Sequence, residues 1–295
     1  MPLQDRYVNP LTDFGFKKLF GSEPNKDLLI HFLNQLLPEH HQIQDLTYLS
    51  SEKLGFGDDD RRAIFDLYCT STSGERFIVE VQKAKQKFFR DRSVFYATFP
   101  IQEQAKKGEW NFYLDPVYLV AILDFVFDED RNDPCVLHNI QLKDQDCQVF
   151  FDKLTFIYIE LPKFNKREEE LETTFDKWLY VLKHLPDLQD RPRALQERVF
   201  QRLFEAAEIA RFNPEERQLY EESLKVYRDL KNVVDTARDE GKEEGRAEGR
   251  AEKEREVVLS AYAAGLDLAV IAQVSGMSIE DVRAILREAG HVLSD

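Results

Sequence analysis

Apolar residues recur three and four apart in LTDFGFKKLFG, which puts Phe16, Leu19 and Phe20 on one helical face. Thr12 is placed to cap the start of that helix and Gly21 to end it. The stretch KDLLIHFLNQLL repeats the pattern and predicts a second amphipathic helix, closed by Pro38. The period then changes to two. IQDLTYL, RAIFDLYC and RFIVEVQK read as short strands, the last two joined by STSGE, a cluster of turn formers. FFRDRSVFYATFPIQEQAKKG predicts a helix to about Thr98, with Pro100 weakening it. DPVYLVAILDFVF is a buried strand of aliphatic and β-branched residues, and CQVFF and LTFIYIEL predict further strands.

From Asn165 onward the pattern is helical, in FDKWLYVLKHL, ALQERVFQRLFEAAEIA and EERQLYEESLKVYRDLKNVVDTAR. DEGKEEGRAEGRAEKERE then repeats a four-residue charged unit without an apolar face, and reads as a solvated helix or flexible linker of marginal order. The remainder predicts three short helices: Gly265 ends the first, Asp267 caps the second, and Ser278 with Asp281 caps the third after a turn at Gly276. That spacing matches a helix-turn-helix, but Glu280, Asp281 and Glu288 make its last helix a poor surface for a phosphate backbone, so packing or oligomerisation is the favoured role. The expected divisions are residues 1–165, an α/β core; 166–237, a helical region; 238–256, a charged linker; and 257–295, a small helical unit.

The chain's 295 residues, 43% of them hydrophobic, suffice for one sizeable core with smaller units attached. No signal-like segment opens it and its longest apolar run, VYLVAIL, is far too short to span a bilayer, so the expectation is a cytoplasmic protein without a membrane partner. Three cysteines, Cys69, Cys135 and Cys147, lie far apart without CxxC spacing, which predicts buried thiols rather than disulfides or zinc ligands. A net charge of −15 handicaps nucleic-acid binding, although acidic residues at a metal site or on a helical tail inflate the total. Serine-hydrolase, P-loop and zincin motifs are missing from the sequence, and its six histidines are scattered, His40 and His41 suiting a loop end.

One strand raises a chemical question. FIVEVQK carries Glu80 and Gln82 inside a run that otherwise favours burial, and a buried carboxylate needs a partner. With the hairpin turn centred on Ser73 and no β-bulge, Asp66 and Glu80 stand opposite each other, each seven residues from the centre. Period two puts Ile64, Asp66 and Tyr68 on one face with Ile78, Glu80 and Gln82, and Phe65, Leu67, Val79 and Val81 on the other. Two carboxylates so placed either share a proton or hold a cation, for which Mg²⁺ or Mn²⁺ is suited. An ion pair with Arg62, Arg92 or a nearby lysine is the plain alternative. Arg92 and Tyr96, one helical turn apart, form a candidate phosphate-contact surface or a structural pairing of that helix with the sheet, and Asp13 is a further candidate carboxylate for which a plain surface or capping position is the preferred reading.

TDFGFKKLFG, FDLYC, VEVQ, RSVFY and the G-E-W element before DPVYLVAILDF, in this order from about Tyr7 to Leu161, resemble the PD-(D/E)XK nuclease family of transposase-related proteins, near its recombination-promoting nuclease group. NPEERQLYEESLKVYRD with EGRAEGRAE resembles the tail often attached to them. The resemblance implies an α/β, restriction-endonuclease-like core (αβββαβ, mixed central sheet) followed by an all-α region and a small C-terminal helical unit. It implies a Mg²⁺- or Mn²⁺-dependent DNA endonuclease in which Asp66 and Glu80 hold the metal and Gln82, standing where the E-x-K lysine is usual, helps position water. Lys83 should face the other way, so the missing positive charge would come from Lys85, Lys87 or Arg92, with Arg62, Arg92 and Tyr96 as DNA contacts. The alternative is a catalytically silent module that binds DNA or protein through the same surface. A homo-oligomer through the helical C-terminal region is a further expectation.

Overall fold

Thr12 accepts a hydrogen bond from the Gly15 amide and so caps α1 (Asp13–Phe20), whose buried face is Phe16, Leu19 and Phe20, as the apolar spacing predicts. This is a computed structural model of the chain, and it describes residues 5–38, 41–53, 63–105 and 111–291. α2 (Lys26–Leu33) is shorter than expected: the Asn34 side chain bonds the backbone of Ile43 in both directions and draws the chain into turns before Pro38.

The strands follow as β1 (Leu46–Tyr48), the two-residue β2 (Glu52–Lys53) and β3 (Ala63–Ile64), then β4 (Leu67–Ser71) and β5 (Arg76–Gln82). α3 (Phe89–Gln102) continues past Thr98 with Pro100 inside it. β6 (Val117–Leu123) is buried along its whole length. β7 (Leu137–Lys143), a strand the apolar pattern does not mark, pairs antiparallel with β8 (Val149–Glu160), in which CQVFF and LTFIYIEL merge into one strand. The mixed six-stranded sheet has the order β1-β4-β5-β6-β8-β7, with β5, β6 and β8 parallel and the other pairings antiparallel.

The parallel strands are buried on both sides. On one face Phe65, Ile78, Leu119, Ala121 and Tyr158 pack with Phe89 and Ala97 of α3. On the other, Val79, Val120 and Ile157 pack with α1, α2, α4 (Thr174–His184), α5 (Arg198–Ala207) and the first turns of α6 (Pro214–Ala263), around the fully buried Trp178. The helical region therefore shares one hydrophobic core with the sheet. This is the α/β, restriction-endonuclease-like arrangement with a helical C-terminal region, about half helical.

Residues divide into two compact units, Met1–Lys231 and Asn232–Asp295, the division falling inside α6. Within the second unit, Val258 packs with Ile271 and Ala272 of α7 (Leu268–Ser275) and with Val282 and Leu286 of α8 (Ile279–Glu288). Asp267 and Ser278 cap these helices as expected, and Gly276 turns between them at φ 71°. The charged repeat is continuous helix. The thiols depart from expectation: Cys69 is buried, but Cys135 and Cys147 are exposed, because they lie on the β7 side of the sheet edge where the apolar cover ends. No helix among the described residues is long and apolar enough to cross a membrane.

Candidate active site

β4 and β5 form a hairpin whose register pairs Leu67 with Val79 and Tyr68 with Ile78, so the turn is centred on Ser73 and Asp66 stands opposite Glu80. The register is as read from the sequence, but the strand RAIFDLYC is broken. The chain bends at Asp66, and the bend resets the alternation of faces. Phe65 consequently packs with Tyr68, Ile78 and Tyr96 on the α3 side instead of with Leu67 and Val79, and Ile64 is 63% exposed.

The bend turns the Asp66 carboxylate toward the edge of β5. Its Oδ2 accepts a hydrogen bond from the Val81 amide at 2.7 Å, while Glu80 Oε1 accepts one from the Asp66 amide at 3.2 Å. Glu80 is thereby tied to the backbone of Asp66, and Asp66 to that of Val81, the residue after Glu80. Burial pushes both carboxyls up, Glu80 to about 8, where the Asp66 charge adds to the effect, and the Asp13 charge adds at Asp66. Arg92 and Lys17 act on Glu80 through space, and Lys17 and Lys83 on Asp66. Neither acid forms an ion pair among the described residues. Asp13 itself is exposed and bonded to Lys17 at 2.8 Å, so it shapes the field at Asp66 from the first turn of α1. Lys83 also lies toward α1, on the side expected of it, and burial lowers its pKa.

The α3 side of the site is built around Arg92. Its Nη2 donates to Gln82 Oε1 at 2.5 Å and its Nη1 to Gln86, and the guanidinium stacks over Tyr96 at 5.6 Å from the ring centre. Gln82 Nε2 donates to the Ala84 carbonyl at 2.8 Å. Both ends of the amide are therefore engaged within the chain. Burial raises the Tyr96 phenol, helped by the charges of Glu80 and Asp66. Lys85 pairs with Asp128 and Lys87 lies over Phe88, which leaves Arg92, of the three candidates, as the cation beside the acids. Arg62, His40 and the G-E-W element lie outside the described residues.

A second polar cluster escaped the sequence reading. Strand register carries the row Gln82, Leu123, Glu160 across the parallel strands, and ligand atoms of Asp130, His138 and Glu160 lie within 4.8 Å of one another. The signal was available: Glu160 ends the apolar run FIYIE much as Glu80 ends FIVE. Glu160 is fully buried, accepts from the Phe127 amide at 2.6 Å and contacts His138 and the Lys163 ammonium. These three side chains could hold a metal, yet Lys163 already neutralises Glu160. The Asp66–Glu80 pair, Glu80 buried and Asp66 partly so, has no such cation in contact among the described residues.

A family model described as PD-(D/E)XK nuclease family transposase matches residues 10–237, most of the chain. Neither the curated proteins nor the solved structures contain a significant match.

Proposed function

Because the chain belongs to the PD-(D/E)XK nuclease family transposases, we propose that it is a metal-dependent DNA endonuclease with Asp66, Glu80 and Gln82 at its centre. The observation that carries the reading is a pair of carboxylates, Glu80 buried and Asp66 partly so, held together by the Asp66 amide donating to Glu80 and the Val81 amide donating to Asp66, with the Asp66 charge raising the Glu80 pKa. Asp66 and Glu80 would hold Mg²⁺ or Mn²⁺, which when bound supplies Lewis-acid activation of water and charge stabilisation on the phosphate. Arg92 would supply the positive charge that a lysine brings in the E-x-K form. Gln82 ties that guanidinium to the strand carrying Glu80, so its role is to position Arg92 as well as water. Tyr96 shapes the same wall, and Arg62 is proposed as a further DNA contact. We assign residues 1–165 as the nuclease-like core, braced by residues 166–237, with 238–256 as the connecting charged segment and 257–295 as an appended helical unit.

A silent binding module is the second reading. It is favoured by Gln82 itself, whose amide is fully engaged within the chain.

Plasmid nicking and linearisation with Mg²⁺, Mn²⁺ or EDTA separates the two. Metal-dependent cleavage by the wild type, lost in Asp66→Ala and Glu80→Ala variants that keep their circular dichroism, is the expected result. Arg92→Ala should lower the cleavage rate by about 10²-fold or more, as for loss of one donor to developing charge. DNA binding without cleavage by the wild type, over a range of substrates and metals, would favour the silent module.

A further inference from the structure

Every residue from Asp239 to Lys253 is exposed, on a stretch of α6 that has no apolar face. Its sequence from Glu240 repeats every four residues as Glu, Gly, then Lys or Arg. At about 100° per residue, Glu240, Glu244 and Glu248 form one stripe and Lys242, Arg246 and Arg250 another about 200° round, with Gly241, Gly245 and Gly249 midway between. Within one helix this arrangement is unfavourable. Residues four apart are neighbours, so the Glu stripe repels itself and the basic stripe repels itself. Each glycine further weakens the helix relative to alanine. Beyond the helix's own local backbone, nothing lies within 4 Å of the place a Cβ would take on any of the three.

What is self-repelling in one helix is complementary between two. We infer that this stretch of α6 is the contact surface for a second copy of the chain, paired parallel across the glycine stripe, with the acidic stripe of each helix against the basic stripe of the other. A two-fold axis along the helices brings opposite flanks of the seam together, as g meets e′ in a parallel coiled coil; an antiparallel pair would set each stripe against itself. Glycine at every fourth position lets two backbones approach closely. A period of four exceeds 3.6, so the stripe winds right-handed around the helix and the two helices cross right-handed, centred near Gly245. Equal numbers of acidic and basic positions flank the seam, which fits a second copy better than a nucleic acid or a peptide of one charge. The inference does not depend on the nuclease reading.

Sedimentation of the full chain tests it. The wild type should dimerise, with the affinity falling about tenfold or more between low and high salt as the exposed charges are screened. Gly241→Gln/Gly245→Gln/Gly249→Gln favours helix yet fills the seam with polar side chains, so it should be monomeric with helicity unchanged or raised by circular dichroism. Lys242→Glu/Arg246→Glu/Arg250→Glu and Glu240→Lys/Glu244→Lys/Glu248→Lys should each be monomeric alone and should dimerise when mixed. A monomeric wild type at about 100 μM, several times above the concentration of an ordinary transient pair, overturns the inference. So does a dimer that survives the glutamine variant or either charge reversal.

Discussion

Glu80 shows how burial and a neighbouring charge set one residue's chemistry. Its carboxyl, ordinarily near 4.5, is pushed to about 8 by burial and by Asp66, and the two acids titrate as a pair. The folded protein thus keeps a proton that the unfolded chain has released above pH 4.5. Stability from this group is complete below that value and is lost as pH rises toward 8. In EDTA, the Tm of the wild type should fall across this range more steeply than that of Glu80→Gln, which cannot ionise and should be the more stable protein at the alkaline end. Mg²⁺ should restore the wild type there and do little for the variant, because a metal ion must displace the proton before both acids can serve it. Parallel pH profiles for the two proteins would mean that the pair is not coupled as its geometry implies.

Elements were legible from sequence where a local signal agreed with the packing that followed. α1 is such a case, since Thr12, the apolar stripe and Gly21 all mark the same boundaries. The hairpin register was also legible, because a short turn leaves little choice of pairing. Its faces were only half legible: period two cannot foresee the bend at Asp66, which comes from the carboxylate taking the Val81 amide out of the ladder. β7 was hidden because Leu137–Lys143 is an edge strand with mostly exposed side chains, and its partner β8 supplies the order its own pattern lacks. The link between Gln82 and Arg92 joins residues on different elements and could not be derived from spacing at all. Gly15 shows the same limit within a helix. Propensity alone says Gly15→Ala should stabilise α1 by ~1 kcal/mol. A Cβ there would overlap the Asn9 carbonyl and lie 2.7 Å from Thr12 Oγ1, the atom that caps the helix. The variant should therefore lose about 1–3 kcal/mol, as overpacked sites do, visible as a Tm lowered by several degrees; a Tm at or above the wild type's would refute the clash.

At the scale of the molecule, one helix carries two incompatible demands. The start of α6 is held in the large core by Tyr220, Leu224 and Tyr227, and its end is held in the small one by Val258. Between them the backbone depends on helical hydrogen bonds and an exposed Lys242–Asp239 pair, weakened by three glycines and by like charges four residues apart. Such a segment opens locally at little cost, and Lys242, Arg246 and Arg250 lie on it, exposed to trypsin. When opening and closing are fast relative to cleavage, the rate of cutting reports the population of the open form. Pairing two copies across the glycine stripe would stabilise the closed helix by mass action. Cleavage at these three sites should accordingly slow as protein concentration rises through the dimerisation range, and should speed up in salt. In the Glu240→Lys/Glu244→Lys/Glu248→Lys variant, which keeps these three sites, the rate should be independent of concentration. A wild-type cleavage rate that does not change while the chain passes from monomer to dimer would place the contact between copies away from α6, leaving the charge stripes without a partner.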